Sequence, residues 1–388
     1  MSIQPRLPTA TMPRARYIMI GGFLGAGKTT CVARMAEYFS AKGLRVGLIT
    51  NDQGSALVDT TLLRSRGFAT EEISGGCFCC RFNSLMEAAA RLSTSNQPDL
   101  FIAEPVGSCT DLLATVSYPL RRIYGDNFLV APLSVVVDPI RAARVLGLRP
   151  QADTRFSDKV IYIYRKQLEE ADLIFVNKSD LLSESELGFL KEKLSSSFPQ
   201  AEIRAGCARS GLHMTPWFDQ LIAEDQRSRK VMDVDYATYA AGEALLGWLN
   251  CSVKISSPKV FDANLVMTSL ANSIQVLLLA KGAEIAHLKM TLSPEDGLPE
   301  LGVINLVRND LVPELSQELS EPIDRAELIL NLRAEASPET LHNAVNLALS
   351  EFLDKNLNLL ARLEHIEHFR PGKPMPTHDE RLTGDPKA

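Results

Sequence analysis

The chain has little that would draw it to a polyanion or hold it in a bilayer. Forty-one basic side chains stand against forty-seven acidic ones, a net charge of −6, so no general field attracts nucleic acid or an anionic membrane. No apolar run approaches the roughly eighteen residues of a membrane helix. The first such stretch, Tyr17 to Leu24, is interrupted by glycines and runs into Gly27-Lys28. The expectation is a soluble, cytoplasmic protein with neither nucleic acid nor membrane as partner. Aromatic residues are few, at 6%, yet 45% of the 388 residues are hydrophobic. That is enough for a large core, which excludes intrinsic disorder and gives two domains as the natural division. Cysteine is sparse and odd in number, seven in all. A disulfide framework is thereby excluded, and the crowding of Cys77, Cys79 and Cys80 points to metal or redox chemistry instead.

Between Tyr17 and Gly206, short β-branched runs alternate with amphipathic helical stretches such as Thr29 to Lys42 and Glu184 to Leu194. This pattern predicts an α/β domain over residues 16–230, with a mostly parallel sheet and helices on both faces, after an N-terminal extension 1–15. Ligands of such sheets bind where the strands end at their carboxyl edge. A polar run from Glu224 to Lys230 marks the exit. Beyond it the texture changes, and a smaller α+β domain is expected over 235–358, with a ferredoxin-like layer as its candidate topology. Asp262 is placed to cap one helix, and Ser337-Pro338 opens another that reaches about Leu353. Residues 359–388, proline-rich after Arg370, are expected to form an extended or mobile tail. His365 and His368 would share a helix face and His378 follows, but a solvated tail is favoured over a metal site there.

The stretch Gly22-Phe-Leu-Gly25-Ala26-Gly27-Lys28-Thr29-Thr30 lies between a predicted strand and a predicted helix, the context that gives a G-x-x-x-x-G-K-[ST] loop its meaning. Its glycines let backbone amides close around phosphate oxygens. Lys28 would neutralise the β and γ phosphates, and the Thr29 hydroxyl would ligate magnesium. Asn177-Lys178-Ser179-Asp180 follows another strand. The Asp180 carboxylate matches the N1 and 2-amino donors of guanine, which adenine lacks, while Asn177 and Lys178 would support the loop. About 150 residues after a phosphate loop, this motif indicates GTP. Cys207-Ala208 follows the next strand and stands where it would border the base. Glu104 closes a strand at which a carboxylate would hold the magnesium shell, with the Gly107 amide sensing the γ phosphate. Asp52, ending yet another strand, is a candidate for positioning water or completing that shell; an ordinary strand-end cap is equally open to it and is the lesser alternative for Glu104.

Three thiols in Gly75-Gly76-Cys77-Phe78-Cys79-Cys80 can turn toward one borderline-soft divalent cation: zinc first, cobalt or nickel next. No fourth ligand is evident, which suits a site that receives and releases metal. A redox pair or core-filling thiols are the alternatives. Cys31, Cys109, Cys207 and Cys251 are isolated in sequence and read as small buried hydrophobes.

Taken together, these motifs resemble the CobW-type metallochaperones of the CobW/HypB/UreG family of P-loop GTPases. The match is carried, in the family's order, by Gly22 to Thr30, Gly75 to Cys80, Glu104 to Gly107, Val136 to Asp138 and Asn177 to Asp180, over roughly residues 15 to 225. The resemblance implies a GTPase domain followed by a smaller C-terminal domain. It also implies slow GTP hydrolysis that loads or delivers a metal to a client metalloprotein or cofactor enzyme, with a homodimer left open. The family usually has Glu where Asp52 stands, so a role needing the longer side chain does not carry over. Two other functions remain in view. One is a GTPase chaperone for a cofactor-dependent enzyme, corrinoid-using for instance, whose cysteines bind nothing; the other is a non-enzymatic metal store or sensor.

Overall fold

The computed structural model describes residues 14–51, 58–150, 155–227, 229–295, 300–351 and 359–381. Its first sheet is built from β1 (Ala15–Gly21), β2 (Val46–Asn51), β3 (Ala69–Ile73), β4 (Leu100–Glu104), β5 (Phe128–Val130), β6 (Ser134–Val137), β7 (Leu173–Val176) and β8 (Glu202–Ala205). The spatial order is β3-β2-β4-β1-β6-β7-β8, with β5 beside β1, and every pairing is parallel. Strands β1, β2, β4, β6 and β7 are wholly or almost wholly buried, as expected of a parallel sheet covered on both faces. One face packs against Phe82–Ser95 and Asp158–Glu169 in a core holding Phe78, Phe82, Phe101 and Tyr164. The other packs against Lys28–Ala41 and Thr215–Ala223, around Phe39 and Trp217. The order reverses on either side of β1, so the loops after β1, β4 and β6 open into one crevice.

The second sheet comprises β9 (Leu246–Phe261), β10 (Glu284–Pro294), β11 (Gly302–Leu306), β12 (Glu314–Gln317), β13 (Ile323–Glu335) and β14 (Leu360–Phe369). All its pairs are antiparallel, in the order β12-β11-β10-β13-β9-β14. With the helices Ala263–Leu279 and Pro338–Leu347, the strands β9, β10, β13 and β14 form the β-α-β-β-α-β arrangement of ferredoxin-like layers. The β11–β12 hairpin extends it. Asp262 caps the first helix by accepting from the Asn264 and Leu265 amides at 2.9 and 3.0 Å, and Ser337 caps the second through the Thr340 amide at 3.1 Å.

The C-terminal stretch departs from the sequence expectation. Residues expected as a tail from 359 contain β14, which pairs along β9 from Leu360↔Ser256 to Phe369↔Trp248. His365 and His368 therefore lie on a strand and do not share a helix face; the His368 ring sits 4.5 Å from that of His342. After β14 the chain crosses to the first domain with Pro371, Pro374 and Glu380 buried. There the Thr377 amide donates to the Cys79 carbonyl at 2.8 Å and the Glu380 amide to the Ala114 carbonyl at 3.0 Å. Arg122 grips the Glu380 carboxylate at 2.8 to 3.1 Å. His378 packs edge-on against Phe82, ring centres 4.7 Å apart.

Candidate nucleotide and metal sites

The phosphate loop is built on backbone that side chains would disrupt. Gly22 has φ 128°, and a Cβ there would lie 2.2 Å from the Val136 carbonyl oxygen; Gly27 has φ 91°, and its Cβ would lie 2.4 Å from Asn177 Nδ2. Glycine is required at both positions. Gly27 immediately precedes the helix Lys28–Ala41, so the first amides of that helix face the loop. Lys28 is 7% exposed and donates to the Phe23 carbonyl at 3.4 Å. Burial is the main force lowering its pKa, opposed by Glu104 and aided by Lys289. Thr29 is buried beside it, whereas Thr30 is exposed.

Thr29 Oγ1 lies 2.9 Å from Asp59 Oδ1 and 3.1 Å from Glu104 Oε1. The second oxygen of Glu104, Oε2, is buried with no hydrogen-bond partner among the described residues. Burial first, and then the Asp59 charge, push the Glu104 carboxyl up to about 7. Two crowded carboxylates, one with an orphaned oxygen, and a hydroxyl are a hard, all-oxygen donor set, which fits magnesium. Asp59 belongs to the helix Val58–Ser65 and was not singled out in the sequence, because a lone acid in a first helical turn carries no motif. Asp52 lies outside the described residues.

The expected base loop gathers at the same crevice. Asn177 Nδ2 donates to the Ala26 carbonyl at 2.9 Å and its Oδ1 accepts from the Ala208 amide at 2.9 Å. Lys178, held at φ 53°, reaches back to the Gly25 carbonyl at 2.9 Å and to Asp138 Oδ2 at 3.0 Å. Asp138 also accepts from Arg308 of the second sheet at 2.7 Å. The neighbouring cations Lys178, Arg308 and Arg141 overcome burial and hold its carboxyl below the usual range. Asp180 is exposed, and with Cys207 and Ala208 it lines the same cavity of about 730 Å3 as the phosphate loop. Gly107 also borders this cavity, and a Cβ there would meet Leu24 Cδ2 at 2.7 Å.

The cavity has a second wall that sequence reasoning missed. Trp248, His287, Lys289 and Arg333 of the second sheet face the phosphate loop across it, and a Cβ on Gly25 would lie 2.8 Å from the Ala286 carbonyl. The available signal was the alternation in β10, where Leu288, Met290 and Leu292 are core residues and the intervening His287, Lys289 and Thr291 are polar.

The three motif thiols come together on the loop after β3. The Sγ atoms of Cys77 and Cys79 are 2.7 Å apart, those of Cys77 and Cys80 3.3 Å, and those of Cys79 and Cys80 3.7 Å. Cys77 and Cys79 are buried and Cys80 is half-buried. Cys109 is buried in the first core, as expected of a small buried hydrophobe, and its thiol interacts with those of Cys77 and Cys79. Hydrogen bonds from Cys109, Cys79 and Cys80, in that order, drive the Cys77 thiol well below its usual range. Cys109 and Cys77 drive Cys79 well above it. Proximity in space could not be read from a cysteine thirty positions downstream. The chain following β14 covers this loop: the Met375 amide donates to Cys80 Sγ at 3.2 Å and Thr377 Oγ1 to the Cys80 carbonyl at 3.2 Å. The loop is also tied to the nucleotide crevice, because Asn51 Nδ2 donates to the carbonyls of Ile73 at 2.9 Å and Gly76 at 2.7 Å.

A phosphate loop at the sheet switch point, an acidic oxygen set beside it and an N-K-x-D loop behind it define the class of P-loop nucleotide-binding proteins. Residues 16–204 match the nucleotide-binding domain of CobW/HypB/UreG, and over that span the chain is similar to the P-loop GTPases of that family. It is 33% identical over 195 residues to a zinc chaperone CobW of Sinorhizobium sp, covering 46% of this chain and 54% of that one. With the zinc chaperone CobW of Pseudomonas aeruginosa it shares 26% over 215 residues, 50% and 57% of the two chains. With the zinc chaperone YeiR of Escherichia coli K12 it shares 26% over 348 residues, 82% of this chain and 94% of that one. The chain thus spans about half the length of the first two relatives and nearly all of the third. Among the described residues no helix is long and apolar enough to cross a membrane.

Proposed function

We propose that the protein binds and hydrolyses GTP and uses the nucleotide state to bind and hand over a divalent metal, zinc before cobalt or nickel, to a client protein in the cytoplasm. Asp180 reads the guanine edge, with Asn177, Lys178 and Cys207 shaping the loop around it. Amides from Gly22 to Thr30 cradle the phosphates, and Lys28 neutralises the charge that develops between the β and γ phosphates as water attacks. Thr29, Glu104 and Asp59 would hold magnesium, which would supply charge neutralisation at the terminal phosphates. Gly107 offers its amide toward the γ phosphate. Cys77, Cys79 and Cys80 hold the transported metal as thiolates.

The observation that carries this reading is the Asn51 side chain, which borders the nucleotide cavity and holds the Gly76 carbonyl next to Cys77 at 2.7 Å. A shift of β2's end on nucleotide binding moves the metal loop directly. The names of the relatives above support zinc as cargo. Titrating zinc into the protein with GDP and with a non-hydrolysable GTP analogue tests the coupling, which typically amounts to about 1–3 kcal/mol where it exists. Equal zinc affinity in both states removes the chaperone cycle and leaves a static site.

A further inference from the structure

Two ammonium groups from different domains enter the same cavity. Lys28 comes from the phosphate loop and Lys289 from β10, where the alternation that sends Leu288, Met290 and Leu292 into the second core turns Lys289 to the opposite face. Its Nζ donates to Asp59 Oδ1 at 2.5 Å and to Thr29 Oγ1 at 3.4 Å. These are the oxygens that, with Glu104, fit magnesium. An ammonium this close to Asp59 and a magnesium ion cannot share the same oxygens. Lys28 and Lys289 line the same cavity, so the two cations face a space that a polyphosphate would fill.

We propose that Lys289 is a phosphate-contacting cation that the second domain lends to the nucleotide site. Without nucleotide it neutralises the Asp59 and Glu104 pair. When magnesium and GTP arrive, it leaves Asp59 and pairs with a γ-phosphate oxygen. Asp59 and Thr29 line the same cavity as the phosphate loop, so a flexible four-carbon stem released from them remains within reach of the γ phosphate. GDP offers no such partner. The second sheet therefore distinguishes GTP from GDP through one side chain. This deepens the proposed GTPase reading and rests on it.

The test measures the affinities of GDP and of an imido-bridged GTP analogue, both with magnesium, for the wild type, Lys289→Met and Lys289→Arg. Loss of a charge-assisted hydrogen bond predicts that Lys289→Met weakens the GTP analogue about tenfold or more, while GDP stays within about threefold. Lys289→Arg keeps the charge and should preserve the wild-type ratio. Retained GDP binding shows that each variant is folded at the site. An unchanged ratio in Lys289→Met, equal weakening of both nucleotides, or tightening of both, as for a residue that only blocks magnesium, overturns the proposal. If the wild type itself binds neither nucleotide, the GTPase reading falls with it; if the wild type binds and only the Lys289 result fails, that reading stands.

Discussion

The side-chain amide of Asn177 joins the base loop to the phosphate loop, donating to the Ala26 carbonyl at 2.9 Å while its oxygen accepts from Ala208. It is 2% exposed, so removing it strands two buried backbone groups at about 1–3 kcal/mol each. Asn177→Ala should therefore weaken GTP and GDP together, by roughly tenfold or more, and lower the melting temperature. Calorimetric titration of both nucleotides checks this; a loss confined to one of them would place Asn177 elsewhere in the mechanism.

Asp180 is exposed in the open crevice, so its carboxylate loses water only when a base covers it. A base with two matching donors offsets that loss, and adenine does not. GTP should outcompete ATP by at least about a hundredfold, and Asp180→Asn should move the preference toward xanthosine triphosphate. Competition binding decides the matter, and equal affinity for GTP and ATP in the wild type would sink the base-loop assignment.

Lys28 and Thr29 touch no apolar core with their functional atoms. Lys28→Ala and Thr29→Ala should each abolish GTP turnover while leaving the chain folded, with a lowered melting temperature, since each is buried and its loss leaves a buried partner unpaired at about 1–3 kcal/mol. Phosphate release assays and thermal melts on the same samples separate the two effects. Wild-type hydrolysis in either variant would take this loop out of the chemistry.

Glu170 is 1% exposed and accepts from Thr110 Oγ1 at 3.1 Å and the Leu113 amide at 3.3 Å. Burial, reinforced by Asp111, raises its carboxyl from 4.5 to about 8. Below pH 4.5 both folded and unfolded chains carry the proton; between 4.5 and about 8 the folded chain holds it and the unfolded chain does not. The folded state thus loses relative stability as pH rises through this window, the reverse of a salt-bridged acid. Glu170→Gln removes that dependence, so its melting temperature should gain on the wild type from pH 5 to about 8 and then run parallel. A constant difference across the range would mean that Glu170 is ionised in the folded chain.

Much of the first domain was legible because its signals are local. Strand-like runs bounded by glycine and asparagine, and a phosphate loop read together with its flanking elements, placed Lys28, Glu104 and Asn177 around one crevice. What was not legible depends on distant packing. The polar β3, Ala-Thr-Glu-Glu-Ile, has no apolar run of its own and exists by pairing with β2. Strand β14 reads as a histidine-bearing tail until β9 supplies its hydrogen bonds. Asp59 and Lys289 acquire roles only because the second sheet lies over the phosphate loop. No spacing rule carries such information.

The chain beyond β14 gives the last prediction. It lays two backbone bonds and one hydroxyl bond on the metal loop: Thr377 to the carbonyls of Cys79 and Cys80, and the Met375 amide to Cys80 Sγ. The Cys77 hydrogen bond, opposed by Cys79 and reinforced by burial, pushes the Cys80 thiol up to about 11, and the Met375 amide adds a smaller pull downward. A chain ending at Phe369 loses this donor, so Cys80 must give up its proton at greater cost before it can bind metal. Its loop also loses the bonds that hold it still. Zinc affinity at pH 7 should fall about tenfold and transfer to a chelator should quicken, while GDP affinity changes little. Arg122→Ala, which frees Glu380 but leaves the Thr377 bonds, should move both quantities the same way by less. Chelator competition followed by stopped flow reads the rates, and release as slow from the shortened chain as from the whole one would show that the covering segment leaves the thiols' grip on metal unchanged.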